Sequence, residues 1–126
     1  MAPIKILVVD DDHAIGDSVE ALLQAKGFLV LRAADGVEAV AVAQKEMPSL
    51  IILDLLLPKM SGFDVCGTLK QSMATSRIVI LMLTALGQMG DVEKAFSVGA
   101  DDYLIKPFES DRLLRKVAKL LGPPPV

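Results

Sequence analysis

Asp10-Asp11-Asp12, Asp54, Thr84 and Lys106 are the side chains of this sequence whose types and positions could do chemistry together. Each follows a short apolar run: Ile4 to Val9, Leu50 to Leu53, Ile78 to Leu83 and Tyr103 to Ile105. Asp54 is the most telling. It interrupts Leu50-Ile51-Ile52-Leu53-Asp54-Leu55-Leu56-Leu57-Pro58, where a carboxylate contributes nothing to packing and is costly to bury unpaired. The run before it reads as a strand buried on both faces, and Pro58 cannot continue a central strand. Asp54 therefore stands at or just past the carboxyl end of a buried strand. That is the edge of a parallel α/β sheet where ligands gather.

The chemistry of such a set follows from charge. Clustered carboxylates repel one another and hold protons unless a cation joins them. Oxygen-only ligands in a small site suit a hard divalent ion, with Mg²⁺ the expected one. Lys106 adds a second positive charge. A carboxylate beside Mg²⁺ and an ammonium is placed to take a phosphoryl group, because both cations neutralise charge on the transferring oxygens. A threonine hydroxyl such as that of Thr84 can then bond the new oxygens. Taken singly, each residue has a plainer role. An aspartate run caps a helix, as Asp12 is expected to do, threonine suits strands, and most lysines are solvated. Polar groups at four matching strand ends are hard to explain by packing.

The elements that must position these groups alternate along the chain. Strands are expected at Ile4 to Val9, Phe28 to Leu31, Leu50 to Leu53, Ile78 to Leu83 and Tyr103 to Ile105. Helical spacing joins Ile15, Val19, Leu22 and Leu23, with Gly27 as a C-terminal stop. It joins Val37, Val40 and Ala41 as an inward face behind an Asp35 cap, in a helix that Pro48 closes. Phe63, Cys66, Leu69 and Met73 repeat likewise, in a helix weakened by Gly67. A short helix carries Val92, Ala95 and Phe96 and ends at Gly99; the last carries Leu113, Leu114, Val117, Leu120 and Leu121. Five strands alternating with five helices predict an α/β fold: a parallel sheet with helices on both faces, joined by right-handed crossovers. The sole histidine, His13, reads as an exposed first-turn residue, and Cys66 as core.

Composition bounds the function. The 126 residues fit one domain, and 52% are hydrophobic, enough to fill a core. A net charge of -3 argues against nucleic-acid binding by this domain alone. A single cysteine excludes an internal disulfide and a cysteine-based zinc cluster. No apolar run approaches membrane-spanning length, and the N-terminus lacks the pattern of a signal peptide, so no membrane contact and a cytoplasmic setting are expected. Residues 1–121 are expected to form the domain, and 122–126 a proline-rich tail or truncated linker.

The set Ile6-Leu7-Val8-Val9-Asp10-Asp11-Asp12, Ile51 to Gly62, Leu83-Thr84-Ala85 and Gly99 to Phe108 resembles the receiver domain of two-component response regulators. The likeness covers roughly residues 4 to 121, and the spaced set is far more specific than any one motif. It implies a flavodoxin-like sheet with strand order 2-1-3-4-5. It implies that Asp54 is the phosphoacceptor and that Asp11 ligates Mg²⁺ directly, Asp10 through water. Asp54 and the backbone carbonyl of Leu56 would be further ligands. Thr84 is similar to the switch hydroxyl, Lys106 to the lysine that pairs with the phosphoryl group, and Tyr103 to the rotating aromatic coupled to Thr84. The Lys106-Pro107 bond would be cis. Two positions that border the water attacking an acyl phosphate are Leu56 and Leu86 here, which implies slow dephosphorylation.

The partners so implied are a histidine kinase or phosphotransfer protein as donor, and an output domain or protein on the face of the fourth helix, fifth strand and fifth helix. Arg112, Arg115 and Lys116 only partly resemble the charge pattern of DNA-binding regulators that dimerise through this face. A phosphorylation-dependent homodimer is therefore an open expectation. The domain would catalyse only its own phosphoryl transfer and dephosphorylation, not the turnover of an external metabolite. Two alternatives stand beside this. One is a haloacid-dehalogenase-type phosphatase with Asp10 as nucleophile and Asp12 as general acid, which leaves Asp54 unexplained and lacks room for a cap. The other is a receiver-like scaffold that is never phosphorylated. A P-loop enzyme is excluded by the absence of Gly-x-x-x-x-Gly-Lys-[Ser/Thr].

Overall fold

The computed structural model describes residues 3–85 and 89–126. The elements run β1 (Lys5–Val9), α1 (His13–Ala25), β2 (Leu29–Ala33), α2 (Gly36–Glu46), β3 (Leu50–Asp54), α3 (Gly62–Gln71), β4 (Val79–Ala85), α4 (Met89–Ser97), β5 (Asp102–Lys106) and α5 (Ser110–Leu121). The strands form one parallel five-stranded sheet in the order β2-β1-β3-β4-β5, as the family resemblance implies.

Two cores lie on the two faces, because successive side chains of a strand point to opposite sides. Ile6, Val8, Leu50, Ile52, Leu81, Leu83 and Leu104 pack under Val19 and Leu23 of α1 and Leu113 and Val117 of α5. Leu7, Val9, Ile51, Leu53, Ile80 and Met82 pack under Ala39 and Ala43 of α2, Val65, Cys66 and Leu69 of α3, and Ala95 of α4. β3 is buried along its whole length, which explains its unbroken apolar run. Asp12 caps α1 by accepting from the N–H groups of Ala14 and Ile15 at 3.0 and 3.2 Å, and Asp35 caps α2 by accepting from that of Glu38 at 2.8 Å. His13 is exposed and Cys66 is buried, both as expected. No described helix is long and apolar enough to cross a membrane.

Several expected faces are corrected. Ala39 and Ala43 form the buried stripe of α2, while Val37 and Ala41 are exposed and Val40 is half-buried. The alanines take the centre of the face against the sheet, Val40 and Val42 pack at its margins, and Val37 is left exposed. α3 stops at Gln71, leaving Met73 exposed, and buries Val65 rather than Phe63 fully. Phe96, carried by α4, is half-exposed, and Met47, in a left-handed conformation with φ 49°, caps α2 one residue before Pro48. β2 begins one residue later than expected, with Phe28 already packed into the core, and β4 runs on through Thr84 to Ala85. Residues 122–126 fold back on the molecule: the N–H of Val126 donates to the Lys26 carbonyl at 3.0 Å.

Gly67 sits in α3, and a methyl group added there would meet nothing within 4 Å. Gly67→Ala should therefore stabilise the fold by about 0.5–1 kcal/mol, read as a raised urea midpoint with an unchanged slope.

Candidate functional site

Residues from three strands meet at the carboxyl rim of the sheet. Asp54 is the last residue of β3 and Lys106 the last of β5, while Asp10 follows β1 directly. Alternation continues the rows Ile6–Val8, Ile52 and Leu104, all on the side of α1 and α5, so these three side chains project from the same side. Lys106 Nζ lies 3.1 Å from Asp10 Oδ2 and 3.2 Å from Asp54 Oδ2. Lys106 was expected to reach a phosphoryl group; here it bridges two buried carboxylates.

Asp10 and Asp54 are buried and Asp11 is exposed. One carboxylate oxygen from each of the three lies within 4.8 Å of the others. Asp10 is held by the N–H of Asp12, which donates to its Oδ1 at 2.9 Å. Burial pushes the Asp54 carboxyl up to about 6, aided by the charge of Asp10 and opposed by Lys106. Burial alone would lower the Lys106 ammonium, but the hydrogen bond to Asp10 and the charge of Asp54 outweigh it and raise its pKa.

The loop after Asp54 is fixed by close approach. A side chain on Gly62 would strike the Asp54 carbonyl at 2.5 Å and Leu55 Cα at 2.9 Å, so only glycine lets α3 begin there. The N–H of Gly62 donates to the Leu55 carbonyl at 2.9 Å, and that of Leu56 to Asp54 Oδ1 at 3.4 Å. Lys59, at φ 69°, pairs with Asp35 at 3.4 Å and ties the loop to the start of α2. The Lys106-Pro107 bond is cis, in line with the resemblance.

The rim opens into a cleft of about 540 Å³ lined by Asp10, Asp11, Asp12, Asp54, Leu56 and Lys106 among others. Asp91, in the first turn of α4, also lines it. The sequence reading missed Asp91; its only signal was an acidic residue opening a helix after a strand that carries a candidate site residue. Thr84 is 1% exposed, and its Oγ1 has no hydrogen-bond partner among the described residues. Such an orphan is costly unless something else bonds it. Tyr103 is not in the cleft: its ring stands against Phe96 and Lys116. Leu56 is 74% exposed, so its side chain is free to reach into the cleft. Leu86 lies outside the described residues.

A family model described as the response regulator receiver domain matches residues 6–118. The chain is 48% identical to the DNA-binding dual master transcriptional regulator RpaA of Synechocystis over 117 residues, 93% of this chain and 48% of that one. It thus spans about half the length of the curated relatives it matches. Among solved structures, chemotaxis response regulator CheY4 of Vibrio cholerae superposes with a TM-score of 0.89 at 36% identity, covering 95% of this chain and all of that one. The receiver domain of sensor histidine kinase PA1611 from Pseudomonas aeruginosa, with a magnesium ion in its active-site cleft, gives 0.87 at 32% identity, covering 96% and 99%.

Three carboxylates facing one ammonium leave the rim short of positive charge. A carboxyl whose pKa is raised on folding lends stability below its ordinary value and loses it as pH rises through the folded value, here about 6. At neutral pH, Asp54→Asn, and to a smaller extent Asp11→Asn, should raise the melting temperature without metal by several degrees, an effect on the order of 1 kcal/mol for Asp54 that fades below pH of about 4. Mg²⁺ should raise the melting temperature of the wild type and do so less in either variant, as followed by calorimetry.

Proposed function

Because this chain belongs to the response regulator receiver domain family, we propose that Asp54 is its phosphoacceptor and that Lys106 and Thr84 hold the transferred group. Receiver domains are phosphoacceptor switches of two-component signalling, not metabolic enzymes. The observation that carries the assignment to Asp54 is the pairing of its buried carboxylate with Lys106 at a rim where the Thr84 hydroxyl is buried and unpartnered. A phosphoryl group on Asp54 would supply the acceptor that this hydroxyl lacks. The phosphatase alternative has no support: the matching family and relatives are response regulators, and Asp12, its general acid, caps α1.

The site residues fit a divalent cation. Asp10, Asp11 and Asp54 are oxygen donors close enough to share one ion, with the Leu56 carbonyl as a proposed further ligand. Mg²⁺ bound there would neutralise charge on the transferring phosphoryl oxygens. The chain's own residues do the rest. A carboxylate oxygen of Asp54 attacks the phosphorus of a phosphohistidine. The phosphorus–oxygen bond forms as the phosphorus–nitrogen bond breaks, and the donor nitrogen keeps the electron pair. Lys106 follows the new negative charge from the carboxylate to the phosphoryl oxygens. Thr84 donates its hydroxyl proton in a hydrogen bond to one of them, and Tyr103 turns into the space Thr84 leaves. The donor is a cytoplasmic histidine kinase or phosphotransfer protein. The receiver of the signal is an output domain or protein that reads the surface of α4, β5 and α5. The domain is taken to end with α5.

Incubation with acetyl phosphate and Mg²⁺ should add one phosphoryl group to the wild type by intact mass and none at that site to Asp54→Asn. Equal labelling of the variant, mapped to Asp10, would return the phosphatase reading.

The lifetime of the signal follows from Leu56, and from Leu86 by the same family position. Apolar side chains there cannot orient a water for in-line attack on the acyl phosphate. Leu56→Asn, Leu86→Glu or both should hydrolyse several-fold faster than wild type once donor is removed, measured as loss of phosphorylated mass. Identical rates would show that these leucines do not govern the water.

A further inference from the structure

Tyr103 is the only tyrosine of a chain without tryptophan, and it stands in a cage. The ring of Phe96, from α4, meets it edge to face, with centroids 5.9 Å apart and planes at 89°. From α5, Lys116 Nζ lies 5.2 Å from the centre of the Tyr103 ring. That ammonium is itself anchored, 3.0 Å from Asp102 Oδ1, and Lys119 holds the other oxygen at 3.4 Å. The carboxylate of Asp102 is buried, so the anchor is shielded from solvent.

The sheet explains why this matters. Tyr103 is in register with Met82, and Ile105 with Thr84. Alternation therefore puts Thr84 and Tyr103 on the same side of the sheet, the side α4 covers. Tyr103 is half-buried while Thr84 is buried, and a turn of the ring toward Thr84 would change its contacts with Phe96 and Lys116. Phe96 itself is 47% exposed, so its edge contact with Tyr103 lies at the surface.

We propose that Phe96 and Lys116 are positioning residues that hold the Tyr103 ring outward and so set how strongly the resting domain is biased against its active arrangement. This rests on the reading of Tyr103 as the moving aromatic given above. Contacts made in only one of two states shift the balance by their full differential worth. An edge-to-face aromatic pair is worth enough to move that balance roughly two- to tenfold, and a half-exposed cation over a ring about as much or less.

The test compares wild type with Phe96→Ala, Phe96→Leu and Lys116→Gln. In protein free of phosphodonor, NMR couplings about χ1 of Tyr103 report its rotamers. A single outward rotamer is expected in wild type and a mixture in Phe96→Ala. Beryllofluoride with Mg²⁺ is then titrated against each. The half-saturation concentration should fall roughly two- to tenfold for Phe96→Ala, less for Phe96→Leu and for Lys116→Gln. Labelling by acetyl phosphate should quicken in the same order. Lowered melting temperatures with unchanged couplings and unchanged half-saturation would overturn the proposal, showing Phe96 to be merely structural. So would a half-saturation that rises. Failure of wild type to label at Asp54 would instead sink the acceptor assignment, and the χ1 couplings would still decide the cage.

Discussion

One ammonium stands between two buried carboxylates at the rim of the sheet, and much of the remaining structure serves to keep it there. Lys106 reaches Asp10 and Asp54 across two other strand ends because β1, β3 and β5 all point the same way. An antiparallel strand in any of those places would carry its last residue to the opposite edge. The helices that the parallel connections require then bury both faces, so the rim is dry beneath and open only above. The pairing is incomplete as electrostatics: Asp54 keeps a carboxyl raised to about 6 despite the nearby ammonium. A site short of cations costs the resting fold stability, which a metal and a phosphoryl group bound as proposed would restore. Stability is lower here so that function can be conditional.

The proposed acceptor Asp54 and the Thr84 hydroxyl are held differently, which suits a switch. The loop after Asp54 is pinned by Gly62 against the Asp54 carbonyl, by the Asp35–Lys59 pair, and by the N–H of Leu56 on the carboxylate. Phosphorylation of Asp54, as proposed, would therefore add a group to a fixed point. Thr84, by contrast, is buried without a partner among the described residues, so moving its hydroxyl breaks no hydrogen bond. With Asp54 as the proposed acceptor held rigidly, the Thr84 hydroxyl, which has no hydrogen bond to lose among the described residues, is the part expected to move.

The topology and most of the site were legible because polar residues that stop apolar runs are a strong signal. Asp54, Asp10 and Lys106 each end or follow a strand whose interior is apolar, and the strand ends coincide in space once the strands are parallel. What was not legible depends on contacts between elements distant in sequence. Nothing in the sequence around Lys106 distinguishes a lysine bridging Asp10 and Asp54 from a solvated one. The face of α2 was misjudged because valine outranks alanine in hydropathy, whereas Ala39 and Ala43 take the centre of the face against the sheet. Met73 fits the helical period of α3, but the helix ends first at Gln71. Helical spacing put Phe96 on α4, but its contact with the ring of Tyr103, on the neighbouring strand, could not be read from the sequence.

The contact between Phe96 and Tyr103 shows how the rim and the outer face are joined. Side chains on the α4 side of β4 and β5 alternate with those of the core below, so Thr84 at the rim and Tyr103 one pair further back share a row. A change at the rim on that side is felt first by the row, then by whatever touches the row from outside. Here that is Phe96 on α4 and Lys116 on α5, the latter tied through Asp102 to β5 itself. The contacts that fix the resting position of one ring thus come from all three elements that form the expected output surface. A shift of that ring cannot leave the surface unchanged, because the surface includes its supports. Distance between Asp54 and a partner bound on α4, β5 and α5 is then no obstacle to coupling. If Tyr103 has the two arrangements proposed, differing in which of these contacts are made, the coupling would need nothing more.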